Sequence, residues 1–393
     1  MTIPDLARYG YSEAHQQIYD MVYRYSREQL HPLCDRMDRD DWFPEAQYRS
    51  LDEIGLLGTS VPEQYGGQGL GFIEQCLITE ALSYWNASFG AAWMGSESVC
   101  LHNMVRNADD ALKARYLPGF CDGSLIGALG LTEPGAGSDA LGSMATRAVR
   151  DGDDFIINGR KMFISLGPVA DVVLLYAKTE PEKGAKGVSA FAFETKTPGF
   201  KVAQHLDKMG WRGVPTAELV FDDCRVPAGN VIGGVNGGVG VVMSGLNMER
   251  VILCFHMIGV AQRALDITLD YANHRKQFGQ PIGRFQLVQG LLADMYTDLQ
   301  SMRAFSYQMA REVADLEIGG GGRGEAHMRT SAVMLHAGRS LMRIVDNGVQ
   351  VHGGAGYILD LEINRLYRVG KLMEIGAGTN QIRQVIIAEE LLK

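Results

Sequence analysis

The sequence predicts an α+β chain in three parts, helical at both ends and β-rich in the middle. Three observations predict it. Apolar residues recur at helical spacing over the first third. From about residue 126, short β-rich runs are cut by Asp-Gly, Asn-Gly and Pro-Gly pairs. From about 240, some 35 residues run without a proline. The expected boundaries are a helical domain over 1–125, a β-domain over 126–239 and a helical bundle over 240–393.

In the first part, Ile18, Met21, Val22 and Tyr25 follow the i, i+3, i+4, i+7 stripe behind Ser12, a plausible N-cap. In the second, "TRAVR", "DFIIN", "MFIS", "DVVLLYAKT", "GVSAFAFET" and "AELVFDD" read as strands of a barrel or sandwich, with no intervening helices for a βαβ series. In the third, "GLNMERVILCFHMIGVAQRALDITLDYANHRKQFG" is long enough for a bundle helix, and "GGGGRG" at 319–324 reads as a flexible connection. The order α, β, α leaves clefts where a small β-domain meets helices, and a large flat cofactor fits such a place.

With 393 residues, 46% of them hydrophobic and 21% charged, the chain can bury one or two full cores. A net charge of -9 argues against bulk attraction to nucleic acid or an anionic membrane, so any phosphate has to be bound locally. The six cysteines contain no CxxC pair, and none of the nine histidines lies three or four residues from another. These spacings point to free thiols in a reducing compartment and to no helical metal motif. The start "MTIPDLARYG" lacks a basic-then-apolar leader, and no membrane-spanning apolar stretch is expected. A cytoplasmic protein is the expectation.

"LTEPGAGSDA", 131–140, contains a formal GxGxxA match at Gly135, Gly137 and Ala140. A dinucleotide fingerprint needs a helix to open inside it, and here Pro134 and a following hairpin pattern argue against one. The stretch does supply the Thr132 and Ser138 hydroxyls, and small residues that let backbone N–H groups approach a ligand.

Taken together and in order, "LTEPGAGSD", "KMFIS", "MGWRGVPTAELVFDDCRVP", "HRKQFGQPIGRFQLVQ", "QVHGGAGY" and "EIGAGTNQIRQ" resemble the acyl-CoA dehydrogenase family over essentially the whole chain. The resemblance implies that family's fold, with a C-terminal four-helix bundle, and FAD as cofactor. It carries Leu131, Thr132, Gly137, Ser138, Phe163 and Ser165 over as contacts to the flavin ring and pyrophosphate. Phe163 stands where many relatives have Trp, and Ser165 where they have Thr; an aromatic face and a hydroxyl are kept. Arg275, Gln277, Phe278, Gln286, Gln350 and Gly354 match the surface that receives the adenosine and pyrophosphate end of a neighbouring subunit's FAD, and Thr379 and Gln381 are carried over as further cofactor contacts. An arginine fork at 275 suits a diphosphate. The resemblance also implies a homotetramer built as a dimer of dimers, an acyl-CoA substrate and electron-transferring flavoprotein as acceptor.

One residue is missing. Many members carry a glutamate immediately before the Gly-Thr pair of the C-terminal loop, and that carboxylate removes the α-proton of the thioester. Here Gly376 and Ala377 precede Gly378 and Thr379, and neither can accept a proton. Glu249 is the replacement. It lies near the start of the long helix before an almost wholly apolar stretch, where desolvation raises a carboxyl pKa toward that of a working base. The isovaleryl type within the family pairs a glutamate at this helical position with Gly-Ala in the loop, and this chain resembles that type. The resemblance implies that Glu249 takes the α-proton while the β-hydride passes to flavin N5. The Ala377 N–H, with a flavin ribityl hydroxyl, then bonds the thioester carbonyl oxygen.

Small residues at 376 and 377 leave room for a short, branched acyl chain. Ser138, Asn247, Arg250, Ile252, Leu253, His256 and Gly376 are the expected substrate contacts, Ile252, Leu253 and His256 because they lie three, four and seven residues beyond Glu249 on a helix. His256 either packs in the core or meets a polar or ring-bearing acyl tail. A carrier-protein-linked dehydrogenase, a flavin oxidase and a non-catalytic flavoprotein remain alternatives on the same scaffold.

Overall fold

The structure is a computed structural model that describes residues 3–314 and 324–393. Its helices in chain order are α1 (Glu13–Tyr25), α2 (Cys34–Asp40), α3 (Glu45–Arg49), α4 (Phe72–Trp85), α5 (Ala87–Met94), α6 (His102–Asn107) and α7 (Asp110–Cys121) before the sheet. After it come α8 (Gly238–His274), α9 (Gln286–Ala314), α10 (Glu325–His352), α11 (Gly354–Tyr357), α12 (Glu362–Leu372) and α13 (Asn380–Leu391). Ser12 caps α1 as expected: its hydroxyl accepts from the His15 N–H, and the His15 ring accepts from the Ser12 N–H. The "GGGGRG" run lies outside the described residues except for Gly324.

Eight strands form one sheet: β1 (Gly127–Gly130), β2 (Arg147–Asp151), β3 (Asp154–Ser165), β4 (Val172–Lys178), β5 (Val188–Glu194), β6 (Phe200–His205), β7 (Thr216–Pro227) and β8 (Val231–Ile232). The path runs β6-β7-β3-β2-β4-β5-β8, with β1 parallel to β4. β4 and β5 are predominantly apolar and buried at every residue but the last, because both of their faces are covered. Val172, Leu174 and Tyr176 pack with Leu101, Met104, Leu112 and Phe120 of the helices, whereas Val173, Leu175 and Ala177 pack with Phe155, Phe191 and Phe221 inside the sheet. "DFIIN" and "MFIS", which read as two strands, are one strand of 12 residues, interrupted by register shifts against β7.

α8 is the axis of the C-terminal bundle and packs on α4, α9 and α10. By length and composition it could cross a membrane, contrary to the expectation that no stretch reaches that length; 56% of its most apolar window is buried in this fold. Gly259 is what lets it lie close to α4, since a Cβ there would stand 2.5 Å from the Glu80 carbonyl oxygen. Across the same seam Glu80 accepts from Arg303 Nη2 at 3.0 Å and from the Tyr307 hydroxyl at 2.7 Å, tying α9 to α4. All six cysteines are free thiols.

Candidate active site

Glu249 is the twelfth residue of α8, in its fourth turn, where the helix passes α6. Its Oε1 accepts from Asn103 Nδ2 at 2.8 Å, and Asn103 Oδ1 in turn accepts from Arg106 Nη2 at 3.0 Å. The close fit depends on Gly245, one turn back: a Cβ there would lie 2.5 to 2.7 Å from Arg106 Nη2, Asn103 Oδ1 and Glu249 Oε1. The chain reaches α6 through a π-helical segment, Gly95–Leu101, a local widening common at functional sites. Burial raises the Glu249 carboxyl above its ordinary value; the Asn103 hydrogen bond and the Arg106 and Arg250 charges pull against it. The residue retains some exposure, and no ion pair holds its carboxylate among the described residues.

The neighbours expected along this helix divide between faces. Asn247 and Arg250 turn toward α10: Asn247 Oδ1 accepts from the Thr330 hydroxyl at 3.0 Å, and Arg250 Nη1 lies 2.9 Å from His327 Nδ1. Ile252, Leu253 and His256 are buried in the core. His256 is at the level where α4, not α6, flanks α8. Its Nδ1 lies 2.8 Å from the Ser83 hydroxyl, its ring meets Trp211 edge to face at 5.4 Å, and burial pushes its pKa down to about 3. The imidazole is therefore neutral and packed within the core.

The C-terminal loop is tied to α13, whose Arg383 reaches the same helix through its charge. Arg383 of α13 donates to the Gly376 carbonyl oxygen, and its charge helps lower the Arg250 pKa to about 10 after burial. Ala377 has φ +50° and Gly378 φ +89°, and Thr379 caps α13 by accepting from the Ile382 N–H at 3.2 Å. Among the described residues the Ala377 N–H donates to nothing, and the residue is exposed. Gly376 is half-buried, and Gln381 is exposed.

On the β-domain, the 131–138 stretch is held by a pair that the sequence reading passed over. Lys161 Nζ lies 2.8 Å from Glu133 Oε1 with both side chains buried, and it also donates to the Leu131 carbonyl at 3.1 Å. The Glu133 carboxylate accepts from the Ala145 and Thr146 N–H groups, and the Met162 N–H bonds the Thr132 carbonyl at 2.8 Å. Burial would raise the Glu133 pKa, but Lys161 and these hydrogen bonds hold it below the ordinary value; burial brings Lys161 down to about 8, which leaves it charged at neutral pH. A strand does precede the Gly-rich stretch, but a Glu133–Ala136 bridge and turns follow in place of a helix, so it is no dinucleotide fingerprint. Gly137 and Ser138 are exposed, and a Cβ at Gly135 or Gly137 would meet nothing within 4 Å.

The register shift after Lys161 turns Phe163 outward with φ +61° and 66% exposure, and Ser165 follows half-buried. A left-handed backbone at a bulky residue costs about 1–2 kcal/mol, and exposing the ring adds to that cost. An aromatic presented at such a cost beside a stapled, open-sided loop suits a planar ring and the polar chain attached to it.

The other expected cofactor residues lie on the surface of the C-terminal part. Arg275 closes α8 and leads into a hairpin of β9 (Lys276–Gln277) and β10 (Gln280–Pro281). Phe278 at its tip has φ +49° and is 94% exposed. Gln286 begins α9, and Gln350 and Gly354 flank the turn from α10 to α11. Tyr271 joins the two regions: its ring stacks on His352 at 4.2 Å and its hydroxyl donates to the His352 carbonyl.

Fold and site together define an α-β-α scaffold that carries a partly exposed carboxylate on α8, an unbonded amide in the C-terminal loop and an exposed aromatic on the β-domain. Three family descriptions match the chain: "Acyl-CoA dehydrogenase, N-terminal domain" over residues 12–124, "middle domain" over 128–224 and "C-terminal domain" over 236–392. The chain is 40% identical over 386 residues to the mitochondrial isovaleryl-CoA dehydrogenase of Solanum tuberosum, covering 98% of this chain and 92% of the relative. It is 35% identical to acryloyl-CoA reductase (NADH) of Anaerotignum propionicum, covering 96% and 94%. The solved structure of butyryl-CoA dehydrogenase from Megasphaera elsdenii superposes with a TM-score of 0.91 at 29% identity, covering 100% of both chains. The chain belongs to the acyl-CoA dehydrogenase family. It is a flavin-dependent oxidoreductase acting on CH–CH bonds.

Proposed function

We propose that the protein dehydrogenates a short, branched acyl-CoA to the 2-enoyl-CoA, with Glu249 as the α-proton base. The observation that carries this reading is the state of Glu249: raised by burial, reachable, held by one neutral amide and matched by an empty-handed loop at Gly376–Ala377. FAD, when bound, supplies the acceptor for the β-hydride. Asn103 orients the carboxylate without neutralising it, and Arg106 fixes Asn103. The Ala377 N–H supplies a hydrogen bond to the thioester carbonyl oxygen as charge builds there.

Leu131, Thr132, Gly137, Ser138, Phe163 and Ser165 would hold the flavin ring and pyrophosphate, and the Glu133–Lys161 pair keeps that loop in place. Arg275, Gln277, Phe278, Gln286, Gln350 and Gly354 would receive the adenosine end across a subunit boundary. Exposed Phe278, Leu287, Tyr296 and Tyr357 on this surface support a homotetramer. Electron-transferring flavoprotein is the proposed acceptor. The isovaleryl-CoA dehydrogenase similarity supports the branched substrate.

The similarity to acryloyl-CoA reductase favours one second reading, in which the same site works in the reducing direction. Anaerobic titration of the FAD-loaded protein with acyl-CoA thioesters separates the two. The first reading expects isovaleryl-CoA to bleach the flavin rapidly and ahead of straight-chain thioesters; the second expects slow bleaching by every saturated thioester and fast reoxidation of the NADH-reduced protein by an enoyl-CoA. Failure of every thioester in both directions overturns both.

A further inference from the structure

Arg383 is the most deeply buried arginine among the described residues, and the reaction as described does not use it. It is 1% exposed, and its charge meets no carboxylate at ion-pair distance among the described residues. Its partners are three oxygens around the C-terminal loop. Nη1 donates to the Met373 carbonyl at 3.0 Å and to Asn380 Oδ1 at 2.9 Å, and Nη2 donates to the Gly376 carbonyl at 2.8 Å. Burial lowers its pKa to about 10, so the cation is retained at some cost.

The Gly376 carbonyl belongs to the same peptide unit as the Ala377 N–H. In a planar trans peptide the two point in opposite directions, so whatever fixes the oxygen also fixes the hydrogen. No cis peptide bond occurs in the described chain. The preceding unit is anchored as well, since the Gly376 N–H donates to the Leu372 carbonyl at 2.7 Å, and further along the Asn380 N–H donates to the Glu374 carbonyl at 3.0 Å and closes the loop. Ala377 is thereby held at φ +50°, a conformation an alanine seldom adopts unaided, with its N–H unbonded.

We propose that Arg383 is the positioning residue of this amide: its guanidinium holds the Gly376 oxygen and so aims and polarises the Ala377 N–H toward the thioester carbonyl oxygen. The inference rests on the reading of Ala377 as the carbonyl donor. A charged hydrogen bond at the oxygen of an amide strengthens donation from its nitrogen, which makes arginine here more than a fastening. The plain alternative is that Arg383 only caps the last carbonyls of α12 and stabilises the fold.

The test uses the FAD-loaded protein in an E249Q background, where isovaleryl-CoA binds without reacting. The carbonyl stretch of isovaleryl-CoA, labelled with carbon-13 at the thioester carbonyl, is recorded free and bound by infrared difference spectroscopy. The expected result is a downshift on binding to E249Q, at least half of which is lost in E249Q/R383Q and part of which is lost in E249Q/R383K. In the otherwise wild-type protein, R383K should lower kcat by about 10- to 100-fold with KM nearly unchanged, somewhat less than the usual loss for deleting an oxyanion donor. If R383Q does not fold, R383K decides alone. A full downshift in whichever Arg383 variant folds overturns the proposal, even if melting temperature falls. If E249Q itself produces no downshift, the Ala377 reading fails, and that failure is distinct from one of Arg383.

Discussion

Glu133 in the β-domain and Glu249 on α8 are both carboxylates withdrawn from water, and their surroundings make opposite use of them. Glu133 has a buried ammonium at 2.8 Å and two backbone N–H donors, so ionisation is favoured and both oxygens are engaged. Glu249 has one amide donor at 2.8 Å, more distant guanidinium charges and a raised pKa. The first is a staple; the second is left with unengaged lone pairs, as the proposed role of base requires. The comparison also shows what a pKa alone cannot do. Glu97 is also pushed up, to about 8, but it is 1% exposed and spends an oxygen on the Thr59 N–H. A raised carboxyl becomes a base only where a substrate can reach it.

The comparison can be broken from either side. E249Q should lower kcat for isovaleryl-CoA by about 10²–10⁴-fold with flavin content and melting temperature retained, the range expected for a general base. K161M should do the reverse. Leaving Glu133 buried without its cation costs about 3–5 kcal/mol, read as a lower denaturant midpoint and loosened flavin, with any active fraction still using Glu249. A K161M protein as stable as wild type would show that the pair is no staple. R275A should lower flavin occupancy and weaken the oligomer together, measured by absorbance and sedimentation, with little effect on the fold of each subunit.

Two smaller effects sharpen the account. The base works deprotonated, so kcat/KM should rise with pH through the Glu249 pKa, which lies above the ordinary carboxylate value. Asn103 bonds the charged form; N103A therefore raises that pKa further and moves the acidic limb to higher pH. A limb that stays in place or moves down would contradict the assigned contact. H256L should have the least effect on selectivity: with His256 neutral and bonded to Ser83 in the core, both proteins should rank isovaleryl-CoA, cyclic and polar-tailed thioesters alike. A changed order would restore the polar-tail reading of this histidine.

What could be read in the sequence was whatever acts over short range. The Ser12 cap, the long proline-free run of α8 and the β4 and β5 patterns are local signals, and the loop without a carboxylate and the glutamate at 249, proposed as its substitute, are visible as residue identities. What could not be read depends on distant pairing. Asn103 meets Glu249 across 146 residues, and Glu133 meets Lys161 across 28. The four-residue β1 and the mostly exposed β6 carry too little pattern to stand out. Phe163 looks like any strand aromatic until the register shift turns it outward. Arg383, in "NQIRQVIIAEEL", reads as one polar residue on an amphipathic helix; only the folded loop shows that it is buried.

The most direct measurement of the central claim isolates proton removal from everything downstream. FAD-loaded protein is incubated anaerobically with isovaleryl-CoA in heavy water, without an electron acceptor, and deuterium at the α-carbon of the recovered thioester is followed by mass spectrometry. The account predicts steady α-exchange in the wild-type protein and its loss in E249Q at equal flavin content. Exchange at the wild-type rate in E249Q would contradict it, because the proton would then be leaving to some other group.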